Sequence, residues 1–167
     1  MRKHRVAGSS CLGIALAIAA SGCMHQSPID DSARSRAQAT QRAATLCEGF
    51  TPELLDRTLS EDPSRVVDAE PITEFGGKPR TLRTIGVRMR LRDAHVPGAA
   101  SVERLLSCQA ARYAAGILPG EHDPLAVEGV ELRAHRSGDH YEVVLRADDE
   151  RAAAEAARRA RRLATLE

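Results

Sequence analysis

The chain has 167 residues, a formal net charge of +1 and an apolar content of 43%, which is one domain's worth of protein. The balanced charge excludes the strongly basic surface of simple nucleic-acid binders. Two Phe, two Tyr and no Trp also exclude the aromatic platform on which single-stranded nucleic acids stack. With 28% charged residues, the chain is not too polar to fold. We therefore expect a folded domain that does not bind nucleic acid.

The first 22 residues have the features of an export signal. The basic segment 2–5 precedes an apolar run at 11–20, and small residues follow that run. This order is typical of a secretory signal peptide. The run is too short for a membrane span, which needs about 20 apolar residues. We expect residues 1–22 to be removed after export.

The end of this segment, Ala20-Ser21-Gly22-Cys23, resembles the lipobox of bacterial lipoproteins. Ala20 departs from the pattern, since the family usually has Leu there, and the resemblance covers residues 1–24 only. It implies that Cys23 is acylated and anchors the chain by lipid. Met24, in place of Asp, implies an outer-membrane location facing the periplasm. Ordinary signal-peptidase cleavage, which would leave Cys23 as a free thiol, is the alternative.

Two cysteines remain once Cys11 leaves with the signal and Cys23 takes the lipid: Cys47 and Cys108. In an exported protein, two remaining cysteines indicate one disulfide. The alternative is a reactive thiol, and neither cysteine has an activating signature around it. We expect a Cys47–Cys108 bond that closes a loop of about 60 residues.

The mature chain divides into a tether and one domain. Residues 23–36 are polar and lack an apolar period, which predicts a flexible tether after the lipidated cysteine. Residues 37–167 then form a single small domain.

The N-terminal part of this domain gives weak signals. Residues 37–46 are compatible with a helix, and Thr51-Pro52-Glu53 has the cap, the proline and the acid that start a short helix. Residues 61–81 are ambiguous, although Val66-Val67 suggest the start of a strand.

The pattern becomes regular from residue 82. Ile85, Val87, Met89 and Leu91 alternate with Gly86, Arg88, Arg90 and Arg92, which predicts a half-buried strand. Ser101 is then expected to cap a helix whose apolar stripe runs from Val102 to Ile117. Cys108 lies near the edge of that stripe, where it can reach Cys47.

A hairpin follows, and we place Ser137-Gly138 in its two-residue turn. In this register Leu132 is opposite Val143, Arg133 is opposite Glu142, and His135 is opposite His140. One face of the hairpin is then apolar and the other mostly polar. A longer, bulged turn would shift these pairs.

The last segment predicts a helix capped by Asp148 or Asp149. Alanines line one face at helical spacing, and arginines lie opposite. We interpret the arginines as a solvated face. Contact with an anionic membrane surface is the alternative, although a face of alanines is too weak for insertion.

The order strand, helix, strand, strand, helix, after a less regular helical N-terminal part, predicts a small two-layer α+β sandwich. Both helices would cover the apolar face of the sheet. The strand–helix–strand unit would cross over right-handed, giving parallel neighbours if its strands pair. The element order is similar to that of BON and secretin N-terminal domains, a likeness of fold without a shared motif.

The exposed sheet face is the leading site. It would display Arg88, Arg90, Arg92 and Arg133, which suit an anionic or protein component of the envelope; a merely solvated face is the alternative. The chain has no nucleophile elbow, P-loop, zinc-protease motif or haem-attachment motif. We therefore expect a non-catalytic binding or structural module without a cofactor.

A second hypothesis is a periplasmic metal-binding protein. Directly opposed, His135 and His140 would share one ion, with Asp139 or His122 as a further ligand, and imidazole suits Zn²⁺ and Cu²⁺. Two histidines fall short of a complete site, since zinc sites use three or four protein ligands. Two solvated histidines near a turn are the alternative.

Overall fold

The structure, a computed structural model, describes residues 28–76, 81–92 and 94–166. The expected signal peptide, residues 1–22, and the expected lipidation site Cys23 lie outside these residues. Within them the helices and strands are α1 Pro28–Cys47, α2 Pro52–Asp56, β1 Val66–Gly76, β2 Thr81–Leu91, α3 Ala99–Ala114, β3 Val130–Ser137, β4 His140–Ala147 and α4 Glu150–Ala164. Two short 3₁₀ helices, Pro63–Arg65 and Pro124–Ala126, complete the regular structure of these described residues.

The strands form one antiparallel sheet in the order β1-β2-β4-β3. Helices α3 and α4 cover one face of it, so the expected two-layer α+β sandwich is confirmed. The two strands joined through α3, β2 and β3, run in the same direction but do not pair, because β4 lies between them. The sheet therefore consists of two hairpins joined at β2 and β4.

A single core lies between the sheet and the helices. On the strands, Val87, Met89 and Leu145 are fully buried, as the alternation of β2 predicts. Helix α4 faces them with small residues, which let its backbone approach the sheet closely. Its buried residues are Ala153, Ala156, Ala157, Ala160 and Leu163.

Gly86 is required where the two hairpins meet. A Cβ at this position would lie 2.1 Å from the backbone oxygen of Leu145 on β4. Since backbone cannot yield as a flexible side chain can, the close pairing of β2 with β4 depends on a residue without a side chain.

Strand β1 occupies the segment whose pattern is ambiguous. It is an edge strand, which explains why it tolerates Pro71 in its interior. Its pairing with β2 is irregular at two places: β1 has an extra residue between Val66 and Asp68, and β2 has one, Ile85, between the partners of Ile72 and Thr73. The start at Val66 agrees with the suggestion from Val66-Val67.

Helix α1 extends further toward the N-terminus than expected. It begins at Pro28, so residues 28–36, assigned above to a flexible tether, are helical. Residues 31–38 are all exposed, which explains the missing apolar period. The Ala, Arg and Gln content of this helix favours helix formation through intrinsic propensity. The expected helix over 37–46 is confirmed as its second half.

The disulfide between Cys47 and Cys108 is confirmed. The two Cα atoms are 5.1 Å apart, within the usual range for a disulfide. The bond joins the last residue of α1 to the buried side of α3, and α1 packs mainly against that helix.

The helix starts agree with the sequence at two of three places. Thr51 accepts a hydrogen bond from the Leu54 backbone N–H at α2, and Asp149 accepts one from Ala152 at α4. The expectation that Ser101 caps α3 is wrong. Gly98 is the cap residue, with a φ of +83°, and this positive φ turns the chain into the helix before Ser101 is reached.

Candidate functional site

The face of the sheet turned away from α3 and α4 is the open face. Alternation along each strand places its side chains on one side. Its residues are Asp68 and Glu70 on β1, Arg88 and Arg90 on β2, Glu142, Val144 and Arg146 on β4, and Glu131, Arg133 and His135 on β3.

Acidic and basic side chains alternate across the middle of the open face. Asp68, Arg90, Glu142 and His135 occupy neighbouring positions on the four strands. Arg90 Nη2 lies 3.1 Å from Asp68 Oδ2, and His135 Nε2 lies 3.3 Å from Glu142 Oε1. Arg88 Nε approaches the same Glu142 oxygen to 2.9 Å. Glu142 is therefore shared by groups from both neighbouring strands.

These ion pairs change what the predicted partner-binding arginines are able to bind. Arg88 and Arg90 lie on the open face as expected, and each has a carboxylate partner there. Arg92 follows the end of β2, where its backbone N–H donates to the Arg65 carbonyl oxygen. The structure thus places Arg88 and Arg90 in a charge-compensated surface, which is less suited to an anionic ligand than a free cationic cluster.

Arg133 lies at the sheet edge and interacts with the helical layer. Its side chain is 82% exposed, and Nη1 lies 3.2 Å from Glu103 Oε1 on α3. The other oxygen of Glu103 accepts a hydrogen bond from the Ala134 backbone N–H at 2.9 Å. Glu103 therefore satisfies a donor of the edge strand β3, a role that its place near the start of α3 did not indicate.

The predicted register of the β3–β4 hairpin is wrong. The two-residue turn is Gly138-Asp139, so His135 pairs with Glu142, and Ser137 pairs with His140. Gly138 has a φ of +64°, as the first position of a primed hairpin turn requires. The predicted turn put Ser137 in that position. The observed partner of each residue is therefore two positions away from the predicted partner. Because this offset is even, every side chain remains on its expected face.

This register separates the two histidines of the metal hypothesis. His135 and His140 share a face, but they occupy diagonal positions, where Cβ atoms are about 7–8 Å apart. Each imidazole contacts a different carboxylate: His135 contacts Glu142, and His140 Nδ1 lies 2.5 Å from Asp139 Oδ1. Among residues 28–76, 81–92 and 94–166, no group of three or more potential ligands is arranged to hold a metal ion.

A shallow depression on the open face collects the paired charges. Acids, arginines and a hydroxyl line it: Asp68, Glu70, Arg88, Arg90, Ser137 and Glu142. Hydrogen-bond donors and acceptors, and charges of both signs, thus lie close together in this solvent-exposed depression. Such a lining matches another mixed-charge surface through hydrogen bonds and ion pairs.

A buried polar cluster around Asp123 was not predicted. The fully buried Asp123 side chain accepts hydrogen bonds from the Tyr113 hydroxyl, the Ser60 hydroxyl and the Leu125 backbone N–H, each at 2.9 Å. Burial, and then the negative charge of Asp123, raise the pKa of Tyr113. The cluster connects α3 with the loop that follows it and with the loop at Ser60, which is distant in sequence. Asp123-Pro124 resembles a helix start, and this is the one local signal that the sequence offers.

The β1–β2 hairpin extends beyond the rest of the sheet, because β4 pairs with β2 only from Gly86 to Leu91. We call this extended part of the hairpin, residues 73–76 and 81–85, the ribbon. On the ribbon, Phe75 and Leu82 are paired across the strands and are 75% and 59% exposed. These two side chains are among the large apolar residues that the described part of the chain exposes to solvent. The ambiguity of segment 61–81 concealed this feature.

The part of the chain that the structure describes contains no helix both long enough and apolar enough to cross a bilayer. Comparisons of the chain with protein-family models, with curated proteins and with solved structures found no match. The described domain thus has an open, charge-compensated sheet face on one side and, on the other, a helical layer joined to α1 by a disulfide.

Proposed function

We propose that the protein is a non-catalytic module of the bacterial envelope, anchored in the outer membrane through lipid on Cys23, which binds a protein partner through the open face. The observation that carries the binding role is the uncovered sheet face, whose ion pairs are formed before any partner arrives. The lipobox-like segment before Cys23 supports the anchor.

A protein partner suits the open face better than a small anion. Because Arg88 and Arg90 already interact with Glu142 and Asp68, a small anion that reached either guanidinium would lie close to a carboxylate of the same charge, which opposes its binding. A protein surface with both signs of charge can extend the existing pattern and add hydrogen bonds at its edges. Such complementarity selects the partner and its orientation more than it adds affinity.

The anchor is tested by native mass spectrometry of the protein extracted from its own envelope in mild detergent. We expect the mass of an acylated chain that begins at Cys23 and contains one disulfide, and we expect Cys23→Ser to abolish the acylated form. A free thiol at an unacylated Cys23 would contradict the anchor. A stoichiometric metal adduct would instead favour the metal-binding hypothesis for His135 and His140.

The binding role is tested by site-specific photo-crosslinking in the same envelope. A photo-reactive residue at Val144, on the open face, should cross-link to a defined protein. The same residue at Ala154, on the exposed side of α4, should not. Glu142→Arg should remove the Val144 cross-link, and the purified partner should bind wild-type protein but not this variant. Equal cross-linking from both positions would contradict a partner on the open face.

A further inference from the structure

The exposed side of α4 is a stripe of arginines. Helical spacing places Arg151, Arg158, Arg161 and Arg162 opposite the alanines that are buried against the sheet. Arg158 is paired with Glu155 at 2.7 Å. Within the described chain, the side chains of Arg151, Arg161 and Arg162 have neither an ion pair nor a hydrogen bond. Three exposed cations thus remain uncompensated, in contrast to the arginines of β2.

The helix's own electrostatics do not account for the whole stripe. Arg161 and Arg162 lie in the last turn of α4, where cations interact favourably with the helix dipole. Arg151 lies in the first turn, next to Glu150, where a cation is unfavourable. Its presence there fits an external anionic surface better than a stabilising role within the helix.

The stripe belongs to the side of the domain that is connected to the expected anchor. Helix α1 begins five residues after Cys23 and is bonded to α3 through Cys47. A helix of this length measures about 30 Å. The five residues from Cys23 to the start of α1 add at most about 18 Å. Because α3 and α4 cover the same sheet face, lipid on Cys23 would hold the helical layer within about 50 Å of the bilayer.

The ribbon contributes an apolar component on the same side. Counting alternate residues along β1, Phe75 lies on the side of Ala69, which is buried in the core beneath the helices. Leu82 is its cross-strand partner. Since β4 ends beside Gly86, where the ribbon leaves the sheet, α4 starts at the ribbon end of the domain. Arg151 and the exposed apolar pair therefore lie toward the same end.

We propose that Arg151, Arg161 and Arg162, together with Phe75 and Leu82, dock the domain on the anionic phospholipid surface of the membrane that holds its anchor. The membrane as occupant rests on the proposed anchoring at Cys23. The alanines of α4 are buried against the sheet, so this helix contacts headgroups without inserting. The ribbon supplies the apolar side chains that reach the boundary between headgroups and acyl chains. In this orientation the open face points away from the bilayer.

The test measures binding of the mature chain, residues 23–167, to vesicles of phosphatidylcholine with and without phosphatidylglycerol. All proteins carry Cys23→Ser, so that no acyl chain contributes and the remaining N-terminal residues are common to every comparison. One arginine near an anionic surface contributes about fivefold to affinity. We expect the triple variant Arg151→Gln, Arg161→Gln, Arg162→Gln to bind phosphatidylglycerol vesicles about 100-fold more weakly and to lose most of its salt dependence.

The matched control removes three exposed arginines from the other hairpin: Arg133→Gln, Arg136→Gln, Arg146→Gln. It changes the net charge equally and should retain most of the wild-type affinity. The variant Phe75→Ser, Leu82→Ser should weaken binding by about tenfold, through the component that resists salt. An α4 variant that binds like wild type, or a control that loses as much, would overturn the docking surface. Unchanged affinity in the ribbon variant would overturn the ribbon's part in it.

The vesicle result is separable from the proposed function. Loss of the docking surface would leave acylation of Cys23 and the Val144 cross-link unaffected, since neither depends on α4. Conversely, an unacylated Cys23 in the protein extracted from its own envelope would contradict the anchor, and binding of the Cys23→Ser protein to anionic vesicles through α4 would still support the docking surface.

Discussion

The two faces of the sheet use their side chains in opposite ways. The covered face contains fully buried apolar residues such as Met89 and Leu145, against which α4 packs with alanines. The open face contains ion pairs in solvent, such as Asp68 with Arg90. Burial of apolar surface provides most of the stability of a fold, and exposed ion pairs provide little. The open face is therefore free to serve recognition, and changes there should leave folding almost intact.

The largest expected effect comes from removing the Cys47–Cys108 disulfide, which joins α1 to α3 on the covered side of the sheet. Replacing Cys47 and Cys108 together by Ala should lower the free energy of unfolding by about 4 kcal/mol, because an open chain gains conformational entropy on unfolding. The cysteines are 61 residues apart. Urea unfolding followed by circular dichroism measures the change. A thiol reductant should lower wild-type stability to the level of the variant and leave the variant unchanged; an identical urea midpoint for both proteins would contradict the role of the bond.

A smaller loss should result from crowding the covered face. Ala156 on α4 is 1% exposed, and Ala156→Leu would insert a larger side chain between helix and sheet, at a cost of about 2 kcal/mol. Ala154→Leu is the matched control, because it makes the same change on the exposed side of the same helix. Its stability should stay within about 0.5 kcal/mol of wild type. Thermal unfolding of the two variants compares the faces directly, and equal losses would mean that α4 does not pack as described.

The open face should show a weak coupling. A double-mutant cycle with Asp68→Asn and Arg90→Gln should give an interaction energy below about 1 kcal/mol, since the pair is exposed to solvent. Urea unfolding of the four proteins measures it. A coupling above about 2 kcal/mol would show that the ion pairs of the open face hold the sheet together, and would remove the contrast between the faces.

The smallest effect should depend on pH. Hydrogen bonds from Arg158, and then from Arg159, hold the pKa of Glu155 at about 2. Because the folded state lowers this pKa, ionised Glu155 stabilises the protein above its ordinary value of 4.5, and the contribution is lost as the pH falls toward 2. The stability difference between wild type and Glu155→Gln should therefore be present at neutral pH and vanish near about pH 2. A difference independent of pH would contradict the ionic origin.

Predictability differed between regular segments and junctions. The alternation around Val87 and Met89 identified β2, and the expected Cys47–Cys108 bond is present. Both predictions depended on patterns or counts that one sequence contains. The start of α3 was misplaced at Ser101, because the positive φ of Gly98 is a property of the connecting loop. The candidate site shows the same difference. The alternation of β2 predicts the face on which Arg88 and Arg90 lie, and it does not identify their carboxylate partners.

The sequence by itself determined the layer architecture and the face on which the side chains of β3, of β4 and of residues 86–91 of β2 lie, because periodicity is local and a shift of two residues in pairing preserves it. Only the tertiary structure decided that β1 joins the sheet and that Gly138-Asp139 forms the turn. It also showed that Glu103 closes the edge of β3 and that Arg90 faces Asp68. These features depend on contacts between residues distant in the chain, where side-chain pairing and backbone geometry select among arrangements that the local pattern allows equally.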